Sequence, residues 1–312
     1  MPSSQSAQRL TTVSGVLAVL LAAACWGASG IFVKLIMAAG PVSSLCLAFW
    51  RDTAAFAVFF TLAVSVDRDR IVIRRADGLR LLGMGISLGF FHVVLNLGYR
   101  LNGAAITTIQ QAAMPAIVLV AARIVWKEPL TELKLFCLAI IAVGTVLVSG
   151  LLKADAPDVT AGGILVGFLV PCLYAGWSLF GKALRTGYSA LVTLSWAFGI
   201  AALILLPFQL LTGDRFIPRL PSIGWVWFAG LTGISTAGGF FAFTFALGRL
   251  PAGMATILVM SEIAFAVVYA RLFLAEILTP LEIAGTIVIV AGVIILLIPG
   301  TTAAQIRSGW RQ

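Results

Sequence analysis

"ARIVWKEPLTEL" at residues 122–133 returns as "ARLFLAEILTPL" at residues 270–281, displaced by 148 positions. The same displacement, without a gap, lays Gly15 on Gly163, Phe32 on Phe180, Lys34 on Lys182, Thr108 on Thr256, Thr131 on Thr279 and Gly144 on Gly292. The chain is two copies of one unit, and the content of each copy decides the fold.

Of the 312 residues, 61% are hydrophobic and 11% charged, far from the roughly half-apolar, quarter-charged make-up of soluble domains. Lipid satisfies no backbone hydrogen bonds, so only helices or closed barrels cross it, and a core of ~30 Å needs about 20 apolar residues as helix. Long unbroken apolar runs select helices here. Ten candidate spans lie near residues 13–36, 42–66, 79–99, 104–125, 133–152, 161–181, 189–211, 223–246, 253–274 and 279–299. The first is too long for the core of a signal peptide and reads as a retained span. Five spans per copy is an odd number, so the second copy enters from the opposite face. The expected fold is an all-α integral membrane protein of ten transmembrane helices in two inverted five-helix repeats, 13–152 and 161–299, around a central cavity, with tails at 1–12 and 300–312. Inverted repeats around a midplane site are the architecture of many secondary transporters.

The net charge is +9, and its placement matters more than its size. Loops and ends on the side of the N-terminus carry eleven Lys/Arg; the opposite loops carry four, Arg100, Lys153, Arg215 and Arg219. Positive residues mark the cytoplasmic side, so both tails are expected in the cytoplasm, with Asp69 and Asp214 on opposite faces. The basic excess orients the chain and does not call for nucleic acid. Short connections leave no soluble domain. Cys25, Cys46, Cys137 and Cys172 lie inside spans without Cys-x-x-Cys pairing, and His92 is the single histidine; neither a metal site nor a cofactor is expected.

That histidine sits in "GISLGFFHVVLNLGY", residues 85–99. At 100° per residue Gly85, Gly89, His92, Asn96 and Tyr99 share one stripe of the third span. A polar stripe is costly against lipid, so it is expected to face protein or a watery cavity. The fourth span adds Thr107, Thr108, Gln110 and Gln111 before Pro115, whose missing N–H frees a carbonyl one turn back. The eighth adds Ser235 and Thr236, the ninth Glu262, and the first and sixth Trp26, Tyr174 and Trp177. The fifth and tenth spans are apolar nearly all round and are placed at the periphery.

The repeat sorts the charges. Arg123 with Arg271 and Glu128 with Glu276 occur in both halves at span ends, which suits scaffold or gating. Arg51, Asp52, His92 and Glu262 match Gly199, Ile200, Phe240 and Met114, so these ionisable groups break the symmetry and are candidates for substrate contact, coupling or an ion pair. Arg51 and Asp52 point about 100° apart on a helix and are not expected to need one another.

These features resemble the drug/metabolite transporter superfamily in its ten-helix form with two EamA-type halves. The resemblance rests on "CWG" at residues 25–27, on "EPLT" at 128–131 with its counterpart "EILT" at 276–279, and on Arg51 within the second span. It covers nearly the whole chain and implies a basket of ten helices around a cavity. Within the superfamily the chain is similar to YddG-type amino-acid exporters. Three functions stay open: a secondary exporter of amino acids or related small metabolites across the cytoplasmic membrane by alternating access, a multidrug exporter of the same fold, and an intramembrane enzyme. For the last there is no catalytic residue set, since no serine nucleophile stands beside a base. The partners expected are a small-molecule substrate and the bilayer; monomer and homodimer are both open.

Overall fold

The computed structural model describes residues 2–67, 71–153, 160–211 and 215–298. The tail 300–312, Asp69 and Asp214 lie outside the described residues. Ten helical spans follow one another: α1 (Leu10–Ala39), α2 (Ser44–Val66), α3 (Arg75–Gly103), α4 (Ile106–Trp126), α5 (Glu132–Val148), α6 (Ala161–Leu184), α7 (Ala190–Leu211), α8 (Ser222–Leu247), α9 (Ala252–Leu274) and α10 (Pro280–Leu297). Among the described residues nine are long and apolar enough to cross a membrane. The tenth, α5, has 17 residues and pairs with α10 through the repeat. Odd-numbered spans leave the face on which α1 starts, here the N-terminal face, and even-numbered spans return to it; α6 starts on the far face, so the halves are inverted.

The repeat is visible in the backbone. Lys127 and Ala275, matched by the offset, both take left-handed φ values, 53° and 54°, and end α4 and α9. The next amides, Glu128 and Glu276, close back on the carbonyls of Ala122 and Ala270. Thr131 and Thr279 then cap α5 and α10 by accepting from the amides of Lys134 and Glu282, each satisfying a donor that the first helical turn leaves open.

Packing obeys the same two-fold relation. An added Cβ on Gly144 would stand 2.7 Å from Ile289, and one on Gly292 2.9 Å from Ile141. Since Gly144 matches Gly292 and Ile141 matches Ile289, the pseudo-two-fold axis runs between α5 and α10. These peripheral helices are held to each other by small residues that let backbones approach. Along the same axis α2 packs on α7, while α3 on α6 is the counterpart of α1 on α8.

Four spans are interrupted, the first of them α1, at Ala28 between segments ending at Gly27 and starting at Ser29. In α4 the regular helix breaks at Ala112–Ala113 before a second segment, Met114–Trp126, and in α9 it breaks at Met260–Ser261 before Glu262–Leu274. The two second segments begin at positions matched by the offset, 114 and 262. Pro115 supplies the reason in α4. In α8, Leu231–Gly238 is π-helical, with the Thr236 hydroxyl donating to the carbonyl of Leu231.

Candidate functional site

The interrupted spans meet around a cavity of about 850 Å³ lined from α1, α2, α3, α4, α6, α8 and α9, with Val148 at the end of α5. Its wall is aromatic. Trp26 packs edge-on to Phe240 at 5.0 Å and to Trp177 at 6.1 Å, and Phe91 lies 4.9 Å from Tyr174. Glycine makes room for the Trp26 ring on one side, where a Cβ on Gly239 would meet it at 2.6 Å, and for α9 beside it, where a Cβ on Gly27 would meet Phe265 at 2.7 Å. The "CWG" residues thus set an indole in the cavity and let the second half of α9 approach α1.

Two polar groups stand out on this wall. Glu262 opens the second segment of α9 and accepts from Nε2 of Gln111, which closes the first segment of α4, at 3.4 Å. Polar groups at helix interruptions near the midplane are where inverted-repeat transporters hold their cargo. Arg51 and His92 reach the same cavity from α2 and α3, with Asp52 wholly buried beside them. Nε of Arg51 donates to Oδ1 of Asp52 at 3.3 Å, and Nδ1 of His92 lies 2.6 Å from Oδ2. An ionised carboxylate only accepts, so against it His92 carries a hydrogen on Nδ1, and in the neutral ring Nε2 is then an acceptor.

Of the residues expected at the cavity, Trp26, His92, Asn96, Tyr99, Thr108, Gln111, Trp177, Ser235, Thr236, Glu262 and Arg51 line it. Trp26 Nε1, Trp177 Nε1 and Ser235 Oγ are buried with no hydrogen-bond partner among the described residues. Two expectations need correcting. Gln110 faces away: its Oε1 accepts from Nδ2 of Asn102, and its amide packs onto Gly167 of α6. Asp52 makes an ion pair, as was open to it, but with the neighbour it was not expected to need: it pairs with Arg51 because the long guanidinium arm bends across the 100° between them. Gly85 and Gly89, on the same stripe as His92, face protein as expected: they receive Ile200, Ala201 and Ile204 of α7. Asn96 is tied by its side chain to the carbonyl of His92 at 2.7 Å. Phe91, Phe240, Lys34 and Arg100 line the cavity too and were missed. Phe240 carried a signal, as the partner of His92 in the repeat.

The cavity opens on the far face, where Lys34, Met37, Arg100 and Leu274 form its mouth. Towards the N-terminal face Leu119, Leu247, Leu250 and Ala252 are buried, and the cavity lining does not reach them.

The EamA-like transporter family model matches this chain twice, over residues 13–150 and 161–298. The chain belongs to the EamA-like transporter family. It is 24% identical over 278 residues to an uncharacterized transporter of Archaeoglobus fulgidus, covering 87% of this chain and 94% of that one. It is 26% identical over 211 residues to the uncharacterized inner membrane transporter YicL of Salmonella typhimurium, covering 66% and 70%. A crystal structure superposes with a TM-score of 0.76 at 15% identity, covering 92% of this chain and 97% of the other, a likeness of fold. This family member is a multi-pass membrane transporter, with a small molecule as its cargo.

Proposed function

We propose that this transporter exports small zwitterionic metabolites, amino acids first among them, across the cytoplasmic membrane by alternating access, with both termini in the cytoplasm. The observation that carries the reading is that opposite charges, unpaired with each other, line one aromatic cavity. Arg51 comes from the first repeat and Glu262 from the second, and the charges absent from their matched positions, Gly199 and Met114, make the site asymmetric on a symmetric scaffold. A carboxylate suits a guanidinium; an ammonium suits Glu262, the acceptor Nε2 of His92 and the ring faces. Side chains of varied shape fit the apolar remainder. The charge asymmetry of the loops supports the orientation, and in that orientation the cavity faces outward.

A second reading, export of lipophilic cations, is favoured by Glu262 among aromatic rings. Counterflow in proteoliposomes separates the two. Labelled neutral amino acids should exchange, and Arg51→Gln should abolish that exchange; movement of hydrophobic cations alone, indifferent to Arg51, would select the second reading.

A further inference from the structure

Glu128 is buried, 7% exposed, although it ends a span. Its Oε1 accepts from the amide of Ala252 at 2.8 Å and its Oε2 from the amide of Gly253 at 3.2 Å. These are the first amides of the segment Ala252–Val259, which no carbonyl within the helix can reach, at the positive end of its dipole. On the other side of the same corner, Nζ of Lys182 donates to the carbonyls of Leu247, at 2.8 Å, and Leu250, at the negative end of α8. One acid and one base therefore clamp the α8–α9 corner, and that corner closes the N-terminal face.

The offset of 148 finds every part of this clamp again on the far face. Glu128 corresponds to Glu276, Lys182 to Lys34, Leu247 and Leu250 to Tyr99 and Asn102, and Ala252 and Gly253 to positions 104 and 105. Pro251, which starts the α9 segment, corresponds to Gly103, where the chain breaks helix with φ 73°. Here the acid and base hold each other instead: Lys34 donates to Glu276, and the two side chains are 62% and 44% exposed at the cavity mouth.

We propose that Glu128 with Lys182 and Glu276 with Lys34 are the two gates of the transport cycle, assembled alternately. In the state opposite to this one, Glu276 moves onto the amides of positions 104 and 105 and Lys34 onto the carbonyls of Tyr99 and Asn102, closing the far face. Glu128 is then released to pair with Lys182, as Glu276 pairs with Lys34 now. The exposed pair is a parking position for both side chains; the helix corner is what they act on. This rests on the alternating-access reading and adds to it the residues that set which face is shut.

Thr108 lines the open cavity while its repeat partner Thr256 is wholly buried, so a cysteine at each reports one state. In cysteine-free full-length protein in proteoliposomes, N-ethylmaleimide labelling is read at Thr108→Cys and Thr256→Cys. Glu276→Gln weakens only the far-face clamp, so it should lower labelling at 256 and raise it at 108. Glu128→Gln should do the reverse, each by about tenfold, the scale of losing a charge-assisted contact in a two-state balance. The swap Lys34→Glu with Glu276→Lys keeps the exposed pair but puts the wrong charges on the corner. It should label like Glu276→Gln, and labelling like wild type would overturn the proposal. Glu276 is exposed, so its variants carry the test even where Glu128→Gln does not fold. If position 256 labels in the cycling parent protein but neither glutamate shifts it, the gates are wrong and alternating access stands. If 256 is unlabelled in every background, both fall.

Discussion

Nδ1 of His92 lies 2.6 Å from Oδ2 of Asp52, which joins α3 to α2 behind the cavity wall. With Arg51 on the other oxygen, this makes a buried acid with a basic partner on each side, and both partners face the cavity. Binding geometry and helix packing share one network.

Removing the imidazole therefore has two effects. His92→Phe fits the ring volume, as Phe240 does at the matched position, but leaves Asp52 short of a donor, at a cost of about 1.5–3 kcal/mol for a hydrogen bond to a charged group. His92→Gln keeps an amide N–H for Asp52. We expect the Phe variant to insert but melt several degrees lower with transport reduced about tenfold or more, and the Gln variant to melt near wild type with partial transport. Normal transport per folded molecule in the Phe variant would confine His92 to packing.

Glu262 is the acidic group on the cavity wall among the described residues that has no basic neighbour within ion-pair distance. Glu262→Gln keeps its shape and the contact with Gln111 but removes the charge an ammonium would meet. The expected result is a folded protein whose exchange of neutral amino acids falls about tenfold or more, on the scale of one charge-assisted hydrogen bond. Unchanged exchange over a range of pH values would remove Glu262 from substrate and proton roles together.

How much of this was legible in the chain depends on whether symmetry or its breakage carried the feature. Apolar runs marked the spans, their odd number per copy the inversion, and helical angle the polar stripe of α3; the offset of 148 matched Thr131 with Thr279, although their capping role emerged only in the structure. Helical angle alone could not place Gln110 and Gln111, since adjacent residues of a helix end face different neighbours, and the approach of Gly167 decided it. Nor could it foresee that Arg51 bends back to Asp52, because direction from the axis says little about a side chain with four torsions. The break at Met260–Ser261 has no Gly or Pro to announce it; the matched Pro115 was its one sign. Glu128 and Glu276 look alike in sequence and differ in the structure because one conformation cannot be symmetric and open on one face.

The α5–α10 contact should tolerate little added volume. A Cβ at Gly144 would come within 2.8 Å of the carbonyl of Gly285, a backbone atom that cannot rotate aside. Overpacking of this kind costs roughly 1–3 kcal/mol for a small addition. Gly144→Val should lower the melting temperature markedly, while Gly30→Val, where an added Cβ meets nothing within 4 Å, should leave it nearly unchanged. Equal melting of the two variants would mean that α5 and α10 do not pack through these glycines.

Orientation in the membrane decides what the open cavity means, and two exposed loop residues can read it. Val72, 78% exposed between α2 and α3, lies on the N-terminal face; Ile217, 61% exposed between α7 and α8, lies on the far face with the cavity mouth. The proposed orientation, which rests on the excess of Lys/Arg around the N-terminal face, has that face in the cytoplasm. In cysteine-free protein in intact cells, an impermeant maleimide should reach Ile217→Cys directly and Val72→Cys only after permeabilisation. The reverse pattern would turn the cavity toward the cytoplasm, making this structure the loading state of an exporter rather than its releasing state, and would set the loop charges against the rule that oriented them. Labelling of both positions from outside would contradict the opposed loops themselves, since an even number of spans must then separate α2 from α8.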